Sequence, residues 1–204
     1  MGLRPRYREP VSAIILAGGR SSRMGTSKAL LRFDDEPLIL HVVRKLTPLF
    51  SDIVVVAAPG ERLPELPAKV VHDEVAYQGP VGGISRGLGA VEGEAAFVTS
   101  CDAAFLDVAL IRHLLSTSEG EAVVVPRWGG RLQPLHAVYS TRLLPVFQSE
   151  VAAGQLRLLD VLSSMQVRVV EEAEIRQFDP HGWSFFNMNT PDDYACALEH
   201  WRAR

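Results

Sequence analysis

Along this chain short apolar runs recur, separated by longer stretches in which apolar residues return every three or four positions. Val11 to Leu16, Ile53 to Ala57 (Ile-Val-Val-Val-Ala), Ala95 to Thr99 and Ala122 to Pro126 are near-continuous and rich in β-branched residues. Such runs predict strands covered on both faces. Val70-Val71, ending at His72-Asp73, and Val167 to Glu171 predict two more. Between them lies helical spacing. Leu38, Val42, Leu46 and Leu49, flanked by Ile39, Val43 and Phe50, predict a helix that Pro37 opens and that runs to about Phe50. Gly79-Pro80-Val81-Gly82-Gly83-Ile84 opens another, through Leu88 to about Val91, and residues 107–116, 141–153 and 156–163 continue the series. Thr190-Pro191-Asp192-Asp193 predicts a last helix, with Thr190 as cap and Pro191 at its first position. Trp128-Gly129-Gly130-Arg131 is a tight turn into Pro134 to Tyr139, a hairpin that puts one antiparallel strand into the sheet. Strands alternating with helices predict an α/β domain with a mostly parallel sheet.

In such sheets ligands bind beyond the carboxyl ends of the strands. The loops after the first, third and fourth strands carry Arg20 to Lys28, Asp73 and Asp102, so their polar groups are expected on one rim. The first loop is the densest. Gly18-Gly19-Arg20-Ser21-Ser22-Arg23-Met24-Gly25-Thr26-Ser27-Lys28 holds three glycines, which let backbone N–H groups face an anion, and three cations. This predicts a phosphate cradle. Gly18 and Gly19 are adjacent, which breaks the dinucleotide fingerprint, and Lys28 comes three places after Gly25, which breaks the Walker spacing. A plain polar loop is the alternative, and three cations around the glycines weigh against it.

Asp102 follows a buried strand directly. A lone carboxylate there suits Mg²⁺, which keeps its waters and takes one or two carboxylates together with substrate phosphates. Capping the next helix is the other role open to it, but Asp107 is better placed for that. His72 and His136 read as structural, and Cys101 as a small packing residue. No Ser-His-Asp arrangement or metal-binding histidine cluster can be defended.

Composition narrows the classes. The chain has 204 residues and a net charge of −3, which gives no general drive towards nucleic acid or an acidic membrane. No apolar run approaches the ~20 residues of a membrane helix. Met1 to Pro10 holds three arginines without an apolar segment behind them, so it is expected to be a tail rather than a secretory signal. Two distant cysteines, Cys101 and Cys196, fit reduced thiols in a cytoplasmic protein.

Leu16-Ala17-Gly18-Gly19-Arg20-Ser21-Ser22-Arg23-Met24-Gly25-x-x-Lys28 resembles the signature of the Rossmann-like nucleotidyltransferases, and its Leu-Ala-Gly-Gly opening most resembles the molybdenum cofactor guanylyltransferases. Four later segments resemble the same family in order. They are Asp73 with Tyr77-Gln78-Gly79-Pro80-Val81-Gly82-Gly83, Ser100-Cys101-Asp102-Ala103-Ala104-Phe105, Gln133-Pro134-Leu135-His136-Ala137, and Asn187-Met188-Asn189-Thr190-Pro191. The resemblance implies a single-domain, Rossmann-like three-layer sandwich over residues 11–204. It implies nucleotide contacts from Leu16, Ala17, Gly18, Gly19, Lys28, Asp73 and Asp102, with Mg²⁺ on Asp102 as cofactor. Arg23, Lys28 and Asp102 would be the catalytic groups, and Asn187 and Asn189 would touch the second substrate. The implied reaction transfers GMP from GTP to the terminal phosphate of molybdopterin, with molybdoenzyme chaperones or other cofactor-biosynthesis proteins as partners. Ala104 and Gln78 stand where the family often has proline, and Ala57 where it often has a nucleotide-binding asparagine. CTP in place of GTP, a sugar or alcohol phosphate as acceptor, or a non-catalytic nucleotide or cofactor carrier therefore stay open.

Overall fold

The computed structural model describes residues 11–18, 27–33, 35–73, 78–118 and 120–203. In chain order the elements are β1 (Ser12–Leu16), β2 (Arg32–Phe33), β3 (Glu36–Pro37), α1 (Leu38–Leu46), β4 (Ile53–Ala57), β5 (Lys69–His72), α2 (Gly79–Leu88), β6 (Ala95–Ser100) and α3 (Val108–Thr117). They continue with β7 (Val123–Trp128), β8 (Arg131–Leu132), β9 (His136–Ser140), α4 (Leu144–Ala152), α5 (Leu158–Ser163), β10 (Val167–Val170), α6 (Glu172–Ile175) and α7 (Pro191–Arg202). The main sheet runs β10-β7-β9-β6-β1-β4-β5, with β8 added to β7, and β2 and β3 form a small hairpin apart from it. β1, β4, β5 and β6 pair in parallel, as do β7 and β10. β9 runs antiparallel to both of its neighbours, and β8 is antiparallel to β7, so the antiparallel part is larger than the single strand expected.

The apolar runs are continuous because both faces of the sheet are covered. Successive strand residues point to opposite faces. Ala13 and Ile15 of β1 join one core, with α1, α3 and α7, while Ile14 and Leu16 join the other, with α2, α4 and α5. Ala95 and Phe97 against Ala96 and Val98, and Val138 against Ala137 and Tyr139, divide the same way. Helix, sheet and helix make three layers. Helix and sheet pack closely at Gly87 of α2, where a Cβ would stand 2.6 Å from Cγ2 of Ile14.

Local chemistry sets the ends. Asp107 caps α3, its carboxylate accepting from the Leu110 N–H at 2.8 Å. Thr190 and Asp193 form a capping box at the start of α7, with Pro191 in the first turn. Gly129 and Gly130 both have positive φ (56° and 73°), as a two-residue hairpin turn between twisted strands requires. Two helices, α1 and α2, have ends that differ from expectation. Pro37 does not open α1 from inside; it is the extended residue before it, paired with Arg32 across the β2–β3 hairpin. The helix ends at Leu46 and α2 at Leu88, each followed by a turn rather than by further helix.

Candidate active site

After β1 the chain passes to β4 and β5 on one side, then returns to β6 on the other. The order therefore reverses between β1 and β6, where a crevice opens beyond the strand ends. Asp102 lies here, two residues past β6, and is 7% exposed. Cys101 N–H donates to the Leu16 carbonyl at 3.0 Å, which ties the two strand ends together. Lys28, at the close of the first loop, places its Nζ 2.7 Å from Oδ2 of Asp102 and 2.9 Å from Oδ1 of Asn189. The Ser100 hydroxyl donates to the other carboxylate oxygen of Asp102. A loop cation, a strand-end carboxylate and an asparagine from the C-terminal region thus meet at one point, although Lys28 and Asn189 are 161 residues apart.

The capping alternative for Asp102 is removed by Asp107, which does that work. Asp102, Asn187 and Asn189 line one cavity of about 300 Å³, together with Ser100, Gln133 and Phe185. Cys101 is buried, and burial pushes its thiol far above the ordinary range, which leaves it a packing residue. His136 is buried as well, and burial draws its pKa down to about 3 against a small opposing pull from Asp179. Its two ring nitrogens have no hydrogen-bond partner among the described residues. A neutral imidazole of this kind is no base at neutral pH. The His72 Nε2–H donates to the Glu61 carbonyl, 3.0 Å away, a structural contact.

A family model described as the MobA-like NTP transferase domain matches residues 13–170, a span that runs from β1 to the end of β10. This chain belongs to that family.

Among curated relatives, a probable molybdenum cofactor guanylyltransferase from Pelotomaculum thermopropionicum is 36% identical over 186 residues, covering 91% of each chain. A molybdenum cofactor guanylyltransferase from Syntrophotalea carbinolica is 34% identical, over 94% of this chain and 90% of its own. Among solved structures, molybdopterin-guanine dinucleotide biosynthesis protein A from Archaeoglobus fulgidus superposes with a TM-score of 0.81 at 23% identity, over 95% of this chain and 100% of that one. A Mycobacterium tuberculosis protein solved with manganese has a TM-score of 0.62 at 17% identity, over 93% of this chain and 98% of its own. By family the chain is a nucleotidyltransferase.

The sequence marks further residues for this rim. The Ala17 N–H donates to the Val56 carbonyl at 2.8 Å, fixing the exit of β1 against β4. Gly18 leans on β4's end closely enough that a Cβ would meet the Ala58 nitrogen at 3.2 Å. Gly19 and Arg23 lie outside the described residues. Asp73 is at the same edge of the sheet, after β5 and so two strands from β1, and its N–H donates to the Ala57 carbonyl at 2.9 Å. Burial raises its pKa, and Arg86 partly offsets the rise. Asp73 therefore shares the rim with Lys28 and Asp102 without joining their cluster. Ala57 is fully buried at the end of β4.

Four residues without a site role in the sequence reading also contribute: Glu61, Ser100, Gln133 and Phe185. Glu61 accepts from the Ser27 hydroxyl and, at 3.3 Å, from the Ala58 N–H, so it braces the residue before Lys28. Ser100 orients Asp102. Gln133 and Phe185 line the Asp102 cavity from the β8–β9 connection and the turn before α7. Ser100, two residues before the carboxylate, and Gln133, which opens a family-like segment, had a signal in the sequence. No helix among the described residues is long and apolar enough to cross a membrane.

Proposed function

We propose that this chain, with residues 11–204 as its transferase domain, transfers GMP from GTP to the terminal phosphate of molybdopterin in its molybdenum complex. The product is molybdopterin guanine dinucleotide, and the enzyme is cytoplasmic and Mg²⁺-dependent. A phosphate oxygen of the acceptor forms a bond to the α-phosphorus of GTP. The bond from that phosphorus to the β-bridging oxygen breaks, and pyrophosphate leaves. A phosphomonoester with a second pKa near ~6 is already an anion at neutral pH, so no strong base is needed. This agrees with His136 being neutral and buried.

The observation that carries the reading is the meeting of Lys28 with Asp102 at 2.7 Å across the β1–β6 crevice. Catalysis is then positioning with charge neutralisation. Backbone N–H groups of Gly18 and Gly19 hold the triphosphate, Leu16, Ala17 and Asp73 contact the nucleotide, and Arg23 and Lys28 meet the charge that gathers on the leaving pyrophosphate. Asn189 keeps the Lys28 ammonium at the rim, and Asn187, on the same cavity wall as Asp102, faces the acceptor.

The donor set fits the metal. Among the described residues no group of three or more His, Cys, Asp or Glu could cage an ion. A lone carboxylate, oriented by Ser100, suits a cation that takes most of its ligands from water and phosphate. Asp102 would hold Mg²⁺ there. When bound, the ion offsets phosphate charge and aligns the triphosphate.

The test is formation of the dinucleotide from GTP and molybdopterin, followed by pyrophosphate release. Chelation with EDTA is expected to stop it, and Asp102→Asn to slow it by about a hundredfold or more. Preference for CTP, or full activity of Asp102→Asn, would overturn the reading. Ala57 favours no second nucleotide by any contact of its own.

A further inference from the structure

A second cavity shares a wall with the one beside Asp102. Gln133 and Phe185 line both, and the second, larger at about 530 Å³, has Trp128, Gly182, Trp183 and Phe186 among its other walls. Both volumes fall within the range of small-molecule sites. The four aromatic side chains are all half-buried, so each keeps area open to a ligand. Trp128 is held in place: its ring lies so close to Gly182 that a Cβ there would be 2.1 Å from Cε2, an approach that the missing side chain allows. The Arg176 guanidinium stands 4.7 Å over the Trp128 ring, held in turn by Glu172 and the Pro180 carbonyl.

Gln133 is built differently. Its backbone is fixed at both ends, its N–H donating to the Pro126 carbonyl at 2.8 Å and its carbonyl accepting from the His136 N–H at 3.0 Å. Its carboxamide is barely engaged, with two contacts to the Trp128 and Arg131 carbonyls at 3.5 and 3.4 Å. A firmly anchored but loosely engaged carboxamide offers both a donor and an acceptor. That combination matches the amide-like edge of a planar nitrogen heterocycle, while aromatic walls suit its faces and rim.

We propose that this aromatic cavity is the subsite for the fused-ring end of the acceptor, with Gln133 reading the 2-amino-4-oxo edge of its pterin and Phe185 marking the passage from ring to phosphate. The inference rests on the transfer to molybdopterin proposed above. An acceptor whose phosphate lies by Asp102 needs room for its ring nearby, and the aromatic cavity shares Gln133 and Phe185 with the Asp102 cavity. Guanine carries the same 2-amino-4-oxo edge, so GTP is the other source of this chemistry. The sheet order separates them. Gly18 and Asp73 lie on the β1, β4 and β5 side of Asp102, whereas Trp128, Gln133 and Phe185 lie on the β6, β9 and β7 side.

The experiment is equilibrium binding of 6-hydroxymethylpterin to the full chain, with GTP binding measured on the same samples. Gln133→Ala and Phe185→Leu are each expected to weaken the pterin by about tenfold or more, the scale of losing a base-stacking or edge contact. GTP affinity should stay at the wild-type value, which also reports that each variant is folded. Saturating GTP should leave the pterin site open. Equal pterin binding by wild type and both variants would overturn the subsite, as would competitive displacement of pterin by GTP. No pterin binding by a wild type that binds GTP would instead overturn the acceptor assignment itself. Should Phe185→Leu lose GTP binding through misfolding, the surface variant Gln133→Ala decides alone.

Discussion

Lys28 and Asp102 form the ion pair on which the candidate site turns, and its strength can be bounded from their surroundings. The charges are 2.7 Å apart, and the side chains keep 20% and 10% of their surface exposed. At an effective dielectric near 20, attraction at that distance is of order 6 kcal/mol before costs. Desolvation of both groups and the ordering of a long lysine remove most of it. Exposed pairs net about 0–1 kcal/mol, whereas stripping one partner from a buried pair costs about 3–5. This pair lies between those limits. Lys28→Met should destabilise the fold by about 1–3 kcal/mol, because it leaves the Asp102 carboxylate nearly buried with the Ser100 hydroxyl as its remaining donor among the described contacts. Asp102→Asn should cost less, about 1 kcal/mol, since the ammonium is more exposed and keeps Asn189. The double variant leaves no orphaned charge, so its loss should fall short of the sum by about 1–2 kcal/mol. Urea denaturation of the four proteins measures this cycle, and for a chain of this size each kcal/mol moves Tm by ~2–4 °C. Activity should behave in the opposite way, with each single variant slowed by about a hundredfold and no recovery in the double. Stability effects that add to within about 0.5 kcal/mol would refute the pairing.

Two further predictions separate structural from chemical roles. Asp107→Ala removes the cap of α3 and should cost about 1 kcal/mol of stability while leaving transfer kinetics unchanged; a large fall in kcat would mean that the two aspartates share the chemistry. His136 gives a pH dependence whose sign follows from burial. Its folded pKa is drawn down to about 3, while the unfolded chain takes up that proton near ~6.5. The contribution is whole above ~6.5 and is lost, by up to ~1.4 kcal/mol per pH unit, as the pH falls towards the folded value. His136→Phe should therefore flatten the loss of stability between pH 7 and pH 5 in urea titrations, and parallel curves for the two proteins would contradict the assignment.

Much of the site was legible because the relevant signals are local. A β-branched run followed at once by Ser100-Cys101-Asp102 marks a buried strand delivering a carboxylate to its end. Five residues later, Asp107 meets the requirements of a cap, and its geometry leaves Asp102 unclaimed for that role. The first loop's glycines and cations predict an anion site, and Lys28 reaches the crevice from the loop's end. The Glu36-Pro37 pair was misread for an equally physical reason. Proline before an apolar period is compatible with both the first turn of a helix and the last residue of a hairpin, and pairing with Arg32 decided for the hairpin.

Taken alone, the amino-acid order marked the long strands and helices, the caps at Asp107 and Thr190, and the loops that carry charge. Period-two and period-3.6 burial and first-turn hydrogen bonding act over a few residues, so they leave their mark in the order itself. What the tertiary structure decided is who meets whom. The contact of Lys28 with Asn189, the reversal of strand order between β1 and β6, and the junction of two cavities at Gln133 and Phe185 join residues far apart in the chain. Such contacts depend on the sheet order and on the close packing of α2 against β1, and no local period encodes them.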